Sequence, residues 1–302
     1  MHLMGLRLSR RVNPFMENSF RTLMAVLLWA ALSSAGGARP FQQAKPDAQK
    51  TTGQAETPPQ TPKPSAEEMK DFQAIENELD QDRSIQMTED FQKKYPQSTL
   101  LGWVLFFEGQ DYLRKNQGDK AVEYCVKSVK ADANNLGSLM IVASLMPQPA
   151  YISKNEMEKA KQLTEGEGYA THALEIIEQI QKQPNEADDA FKARKDDYQR
   201  KMHGSLGLIH LERATMGLGG MDPQELAKSE KEYKAAVDGI DKPNPEYVFR
   251  LGEVYMHEKK VDEAIDAFTK AETLEPAYKP YADPDLEQLK KLKGAAKPAG
   301  SP

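Results

Sequence analysis

The sequence contains a single cysteine, Cys125, so an intramolecular disulfide bond is impossible. It also has few strand signals, because no valine- or threonine-rich alternating run of useful length appears. Long stretches rich in Ala, Leu, Glu, Lys and Gln favour helix instead. These absences predict an all-α protein in which packing between helices supplies the stability.

An excess of basic residues is also missing, and the net charge is −6 at neutral pH. The four arginines of residues 1–35 make that segment basic, so the rest of the chain is more acidic than the total suggests. Nucleic acid binding needs a basic surface that offsets the phosphates. We therefore expect no nucleic acid partner and little attraction to anionic lipid.

The usual arrangements of catalytic and metal-binding residues are absent as well. The histidines lack the spacing of zinc-binding motifs, no Gly-x-Ser-x-Gly motif occurs, and no Lys-Ser or Lys-Thr pair comes directly after the glycines near residue 219, as a phosphate-binding loop requires. The acidic residues lie in charge-rich helical stretches typical of solvated faces. The sequence thus predicts a non-enzymatic protein with no catalytic residues, no metal site and no cofactor.

The amino terminus has the pattern of a secretory signal peptide over residues 1–38. Four arginines precede an apolar core at residues 22–35, and small residues follow it. This pattern predicts export to the periplasm or the exterior. An uncleaved segment that anchors the chain in the inner membrane is the alternative, and Met16 rather than Met1 is a possible start.

Proline, glutamine and threonine dominate residues 39–64, which contain one large apolar side chain. Such a segment buries too little surface to offset its ordering entropy, so we expect a disordered linker. Residues 294–302 are predicted to be a disordered tail. Residues 65–293 then form the helical domain.

Residues 245–278 contain an ordered pattern of small and large side chains. Gly252 and Ala264 are small enough to let two antiparallel helices approach, and Phe268 fills the space beside them. Pro276 follows the second helix, where its missing N–H and fixed φ oppose further helix. This spacing resembles the tetratricopeptide repeat (TPR), a helix–turn–helix unit.

The pattern recurs along the chain. Residues 102–135 place Gly109 and Ala121 at the matching positions, with Cys125 where the aromatic residue usually stands, which predicts a buried thiol. More divergent units begin near residues 65, 136 and 200. The resemblance implies an α-solenoid of about five units, closed by a capping helix for which Asp283 is the predicted N-cap and Pro284 the first turn.

The later units are stretched at residues 147–168 and 215–225. Their role is left open. An open binding face has one alternative, in which extra helical turns near residues 155–168 and 185–199 fold over that face and bury it.

The TPR resemblance also implies where a partner binds. In such proteins the first helix of each unit lines a concave groove that takes a peptide or a helix. The predicted partner-binding residues are Trp103, Phe106, Gln110, Leu113, Met140, Phe249, Glu253 and Met256. Matching groove positions are occupied by Ser144, Leu208, Leu211 and Glu246.

Only Arg114 and Arg250 lie near this groove among the basic residues, so a clamp for a C-terminal carboxylate is not expected. The predicted function is a scaffold that binds a protein or peptide partner in the cell envelope. The alternative is a membrane-tethered accessory of envelope assembly, which would contact the membrane only through an uncleaved signal segment.

Overall fold

The computed structural model describes residues 63–216 and 220–296. The predicted signal peptide and nearly all of the predicted linker lie outside these residues. Within them the chain forms helices and no strand. The helices are α1 (Ala66–Glu76), α2 (Gln81–Lys94), α3 (Leu101–Arg114), α4 (Gly118–Ala131), α5 (Leu136–Leu145), α6 (Glu156–Gln179), α7 (Asp188–Ala214), α8 (Pro223–Val237), α9 (Pro245–His257), α10 (Val261–Leu274) and α11 (Lys279–Ala296).

Side-chain caps fix where several helices begin. The Ser65 hydroxyl accepts the Glu68 N–H, and the Glu68 carboxylate in turn accepts the Ser65 N–H, which forms a capping box at α1. At α9 the Asn244 side chain accepts the Glu246 N–H at 2.9 Å, and proline occupies the first helical position. These polar groups satisfy N–H donors that have no partner within their own helix.

Neighbouring helices pack in sequence as five pairs, α1–α2, α3–α4, α5–α6, α7–α8 and α9–α10, and α11 packs on α10. The first helix of each pair also contacts the first helix of the next pair, from α1 through α3, α5 and α7 to α9. Each pair thus covers an apolar surface that its neighbour leaves open. The predicted α-solenoid of about five units with a C-terminal capping helix is confirmed.

Glycine at one position of the first helix lets the second helix approach. A Cβ atom on Gly109 would lie 2.5 Å from Cys125 Sγ, and one on Gly252 would lie 2.9 Å from the Phe268 ring. Both distances are shorter than any normal van der Waals contact. The small and large residues of the sequence pattern therefore meet across the helix pair, as predicted.

The same turn closes the two most regular units. Asn116 and Lys259 both adopt left-handed backbone conformations, with φ of 56° and 63°. In each turn the next residue donates its N–H to a carbonyl five residues earlier, from Gln117 to Tyr112 O and from Lys260 to Tyr255 O, both at 2.9 Å. This geometry returns the chain in three residues and aligns α4 with α3 and α10 with α9.

The stretched units owe their length to α6 and α7, which have 24 and 27 residues. The added turns of each helix contact the other helix of the pair. Lys159 Nζ lies 2.7 Å from Glu212 Oε2, and Lys195 Nζ lies 2.9 Å from Glu178 Oε2. The extra turns therefore lengthen the α6–α7 contact.

The capping helix begins earlier than expected, which corrects the prediction that Asp283 caps it. A 3₁₀ turn over Pro276–Tyr278 leads directly into α11, which starts at Lys279. Asp283 instead lies within the helix and pairs with Lys279 Nζ at 3.1 Å. Pro284 is accommodated inside α11 at the loss of one backbone hydrogen bond.

Tyr278 is buried against Phe249, with ring centroids 5.3 Å apart, and this contact fixes the start of the capping helix. At its other end α11 continues to Ala296, three residues into the segment expected to be a disordered tail.

Across residues 63–216 and 220–296, no helix combines the length and apolar character that crossing a bilayer requires.

Candidate partner-binding face

The first helices of the second to fifth units are α3, α5, α7 and α9. They lie on one side of the solenoid, which we call the first-helix face. The eight predicted binding residues lie on three of these helices and differ in accessibility. Phe106, Gln110, Met140 and Phe249 are buried. Trp103, Leu113, Glu253 and Met256 are half-buried.

The buried members pack within their own unit or against the next one. The Phe106 ring lies so close to α5 that a Cβ atom on Gly137 would be 2.4 Å from it. Met140 belongs to the apolar cluster that joins α5, α6 and α7. Phe249 packs against Phe268 at a centroid distance of 5.2 Å. In this conformation a partner reaches only the half-buried residues, and their role in binding stays a prediction.

A cavity of about 50 Å³ opens on the first-helix face where the third, fourth and fifth units meet. Its wall combines residues of α5, α7, α8 and α9, which are distant in sequence. These include Ser144, Lys201, Leu208, Tyr233, Glu246 and Arg250. Ser144, Leu208 and Glu246 occupy groove positions that the sequence indicates, so the cavity lies within the predicted face.

Two glycines of α7 shape this cavity. A Cβ atom on Gly204 would lie 2.4 Å from the Tyr247 ring, and one on Gly207 would lie 2.8 Å from the Tyr233 ring. The two tyrosine rings pack on each other with centroids 6.4 Å apart. Without side chains at these glycines, both rings lie flat against α7 and form part of the cavity wall.

Charged side chains of the cavity are mostly paired. Arg250 Nη1 donates to Glu253 Oε2 at 2.9 Å, and Lys201 Nζ donates to Asp197 Oδ2 at 2.5 Å. Burial raises the pKa of Glu246, although the nearby charge of Arg250 acts in the opposite direction. The protonated form of Glu246 is therefore favoured more than for an exposed glutamate.

Two buried polar groups of the wall lack a partner among the described residues, the Tyr233 hydroxyl and Arg250 Nε. Burying a polar group without a hydrogen bond typically costs about 1–3 kcal/mol. From the sequence, Arg250 is only one of two basic residues near the groove, and Tyr233 is not identified as a residue of this face. The sequence indicates this cavity only weakly, because residue spacing within one unit does not show which residues of three different units come together.

The single thiol lies in the core, away from this face. Cys125 is fully buried between α3 and α4, and burial raises its pKa to about 12. A thiol held in its neutral form is a poor nucleophile. It fills the position of an aromatic residue in the repeat, as the sequence predicts.

Comparison with known proteins agrees with the helix pairs. Residues 245–278 match the family model described as tetratricopeptide repeat. The α9–α10 pair is thus a tetratricopeptide repeat. No curated protein matches its sequence.

Two solved structures are similar in part. A thermophilic TPR protein of Thermus thermophilus is 16% identical, with a TM-score of 0.43 over 75% of this chain and 96% of that chain. A MamA RS-1 ArsTM double mutant is 14% identical, with a TM-score of 0.41 over 71% of this chain and 98% of that chain. At such TM-scores neither structure adds to the assignment of the fold, which the chain's own helix pairs establish.

Proposed function

We propose that this protein is a non-enzymatic scaffold that binds a peptide or helix of another protein along the first-helix face. Tetratricopeptide repeats generally mediate protein–protein interaction, and the fold places four first helices side by side. The observation that carries the proposal is that this face keeps large apolar side chains partly accessible on separate units, Trp103 and Leu113 on α3 and Met256 on α9.

Apolar contacts are available on both sides of the cavity. Trp103 and Leu113 are half-buried on α3, and Met256 is half-buried on α9. Large side chains that are partly covered and well packed are typical anchors of protein interfaces. A partner that spans from α3 to α9 would meet apolar positions at both ends and polar groups between them.

We further propose that the scaffold acts in the periplasm or outside the cell. The signal-peptide pattern of residues 1–38 supports export. Mass spectrometry of the mature amino terminus tests this. A terminus near Gly36 or Arg39 supports the exported protein, whereas an intact terminus in the membrane fraction favours the tethered accessory.

Affinity capture with the full chain tests partner binding at the first-helix face. Trp103→Ala combined with Met256→Ala removes two half-buried anchors, so capture of the partner should fall at least about tenfold. Met157→Ala is the matched control, because Met157 is 84% exposed and lies on α6 away from the face. Circular dichroism should show unchanged helix content in all variants.

The proposal fails if the double variant captures the same partner as the wild type. It also fails if Met157→Ala reduces capture as much as the double variant, since the loss would then not depend on the first-helix face.

A further inference from the structure

We propose that the first helix pair, residues 66–94 of α1 and α2, is a lid that opens from α3 while the rest of the solenoid stays folded. The lid is a property of the chain alone and needs no partner to open. Its two helices pack on each other less extensively than the helices of any other pair. The lid meets α3 through the smallest apolar cluster of the described residues, formed by Phe72, Ile75, Phe91 and Val104.

Polar side chains fill the rest of the contact between α2 and α3. Two carboxyl groups of α3, on Glu108 and Asp111, are 0% and 2% exposed. On α2, the Gln92 amide donates to Glu108 Oε2 at 2.7 Å, and Ser84 and Thr88 are buried. Water replaces these polar partners when the lid opens, so separating this layer costs less than separating an apolar one.

Both carboxyl groups lose solvation when the lid is closed. Burial raises the pKa of Glu108 and also that of Asp111. Around Glu108, three polar side chains oppose the rise and one carboxylate adds to it; these groups are Tyr124, Gln92, Thr88 and Glu89. The groups that face Asp111 are Ser84, Arg114 and Glu78, of which only Glu78 adds to the rise.

Acid therefore favours the closed lid. In the open state water reaches both carboxyl groups, and their pKa values return to about 4. The stability that the protonated carboxyls give to the closed state is fully present below that pH. It is lost as the pH rises through the raised closed-state values, so the lid should open more often at pH 7.5 than at pH 4.

Opening uncovers apolar surface on α3. Val104 is 0% exposed and packs among the apolar residues of the lid. The Phe107 ring packs on Phe72 of α1 at a centroid distance of 5.8 Å. Because both residues share α3 with Trp103, an open lid enlarges the apolar surface that this helix offers to a partner.

The opposite end of the solenoid is built differently. Buried side chains of Tyr278, Leu286 and Leu289 join the capping helix to the largest apolar cluster, which contains Phe249 and Phe268. The carboxyl groups of α11 are exposed or half-buried; they belong to Asp283, Asp285 and Glu287. Simple fraying of chain ends affects both ends of the solenoid. A lid opens at the first end alone.

Hydrogen exchange of the full chain, followed by mass spectrometry, tests this inference. After correction for the intrinsic exchange rate, peptides of α1 and α2 should exchange together at pH 7.5. They should exchange at least about tenfold faster than peptides of α9, α10 and α11. At pH 4 the difference should shrink by about threefold or more.

Two matched variants test the role of the buried carboxyl group. Glu108→Gln removes the charge and keeps an oxygen that accepts from Gln92, so it should slow exchange of the lid about threefold or more at pH 7.5. Glu246→Gln is the control, because Glu246 is also a buried carboxyl with a raised pKa but lies on α9. It should leave exchange of the lid unchanged.

The inference is overturned if α1 and α2 are as protected as α9 and α10, or if α11 exchanges as fast as the lid. It is also overturned if the lid exchanges faster at pH 4 than at pH 7.5, or if Glu108→Gln and Glu246→Gln act alike. Failure of the proposed function is a separate result, since these measurements contain no partner.

Discussion

Replacing Gly109 by alanine should loosen the contact between α3 and α4. The added Cβ would lie 2.5 Å from Cys125 Sγ and 3.3 Å from both the Ala121 carbonyl oxygen and the Cys125 amide nitrogen. Because two of these atoms belong to the backbone of α4, rotation of a side chain cannot relieve the overlap. The helices must move apart, and the packing of the second unit must change.

The magnitude follows from two opposing effects. Overpacking in a well-packed core typically costs about 1–3 kcal/mol. The change from glycine to alanine within a helix returns about 0.5–1 kcal/mol. We therefore expect Gly109→Ala to lower the free energy of unfolding by about 1–2 kcal/mol, as measured by urea denaturation followed by circular dichroism.

A control and a compensating variant make the test specific. Gly168 lies exposed in α6, and a Cβ atom added there would meet no atom within 4 Å, so Gly168→Ala should raise stability by about 0.5–1 kcal/mol. Cys125→Ala removes the sulfur that the new methyl group meets. The double variant Gly109→Ala with Cys125→Ala should be more stable than the sum of the single effects by about 1 kcal/mol or more. Equal effects of Gly109→Ala and Gly168→Ala would refute the packing argument.

Three further predictions concern single side chains. Lys259→Gly relieves a left-handed residue in the α9–α10 turn and should stabilise the protein by about 0.5–1 kcal/mol in urea denaturation; a loss of stability would contradict this. Burial raises the pKa of Glu108. The stability that its protonated carboxyl contributes is therefore fully present below a pH of about 4.5 and is lost as the pH rises through the folded-state pKa. Glu108→Gln, which can keep the hydrogen bond from Gln92 Nε2, should therefore exceed the wild type by about 1–3 kcal/mol at pH 7 and by less at pH 4; an advantage that grows in acid would be inconsistent with this sign. Cys125 should react with iodoacetamide in urea but not in the native protein at pH 8, as read by mass spectrometry, and rapid native labelling would show that the thiol is accessible.

Much of the fold follows from positions within one unit. The spacing of Gly252 and Phe268 determines which sides of two adjacent helices meet, and helical periodicity converts that spacing into a contact. The same reasoning places Cys125 in the core. Such predictions succeed because both partners lie within one short segment joined by a three-residue turn.

Predictions that depend on several units were weaker. The positions of Phe106 and Met140 indicate the side of the helix but not how closely the next unit covers them. The cavity depends on Tyr233 and Arg250 from successive units and on the lengthened α7. The start of α11 was misplaced because the contact of Tyr278 with Phe249, rather than the Asp-Pro pair, sets its first turn.

Site-specific photocrosslinking tests most directly whether partners bind to the first-helix face. A photoreactive phenylalanine derivative replaces either Met256 on α9 or Met157 on α6, and crosslinked products are identified by mass spectrometry. The account predicts a partner crosslinked from position 256 and none from position 157. Crosslinking of the same partner from position 157 alone would contradict it.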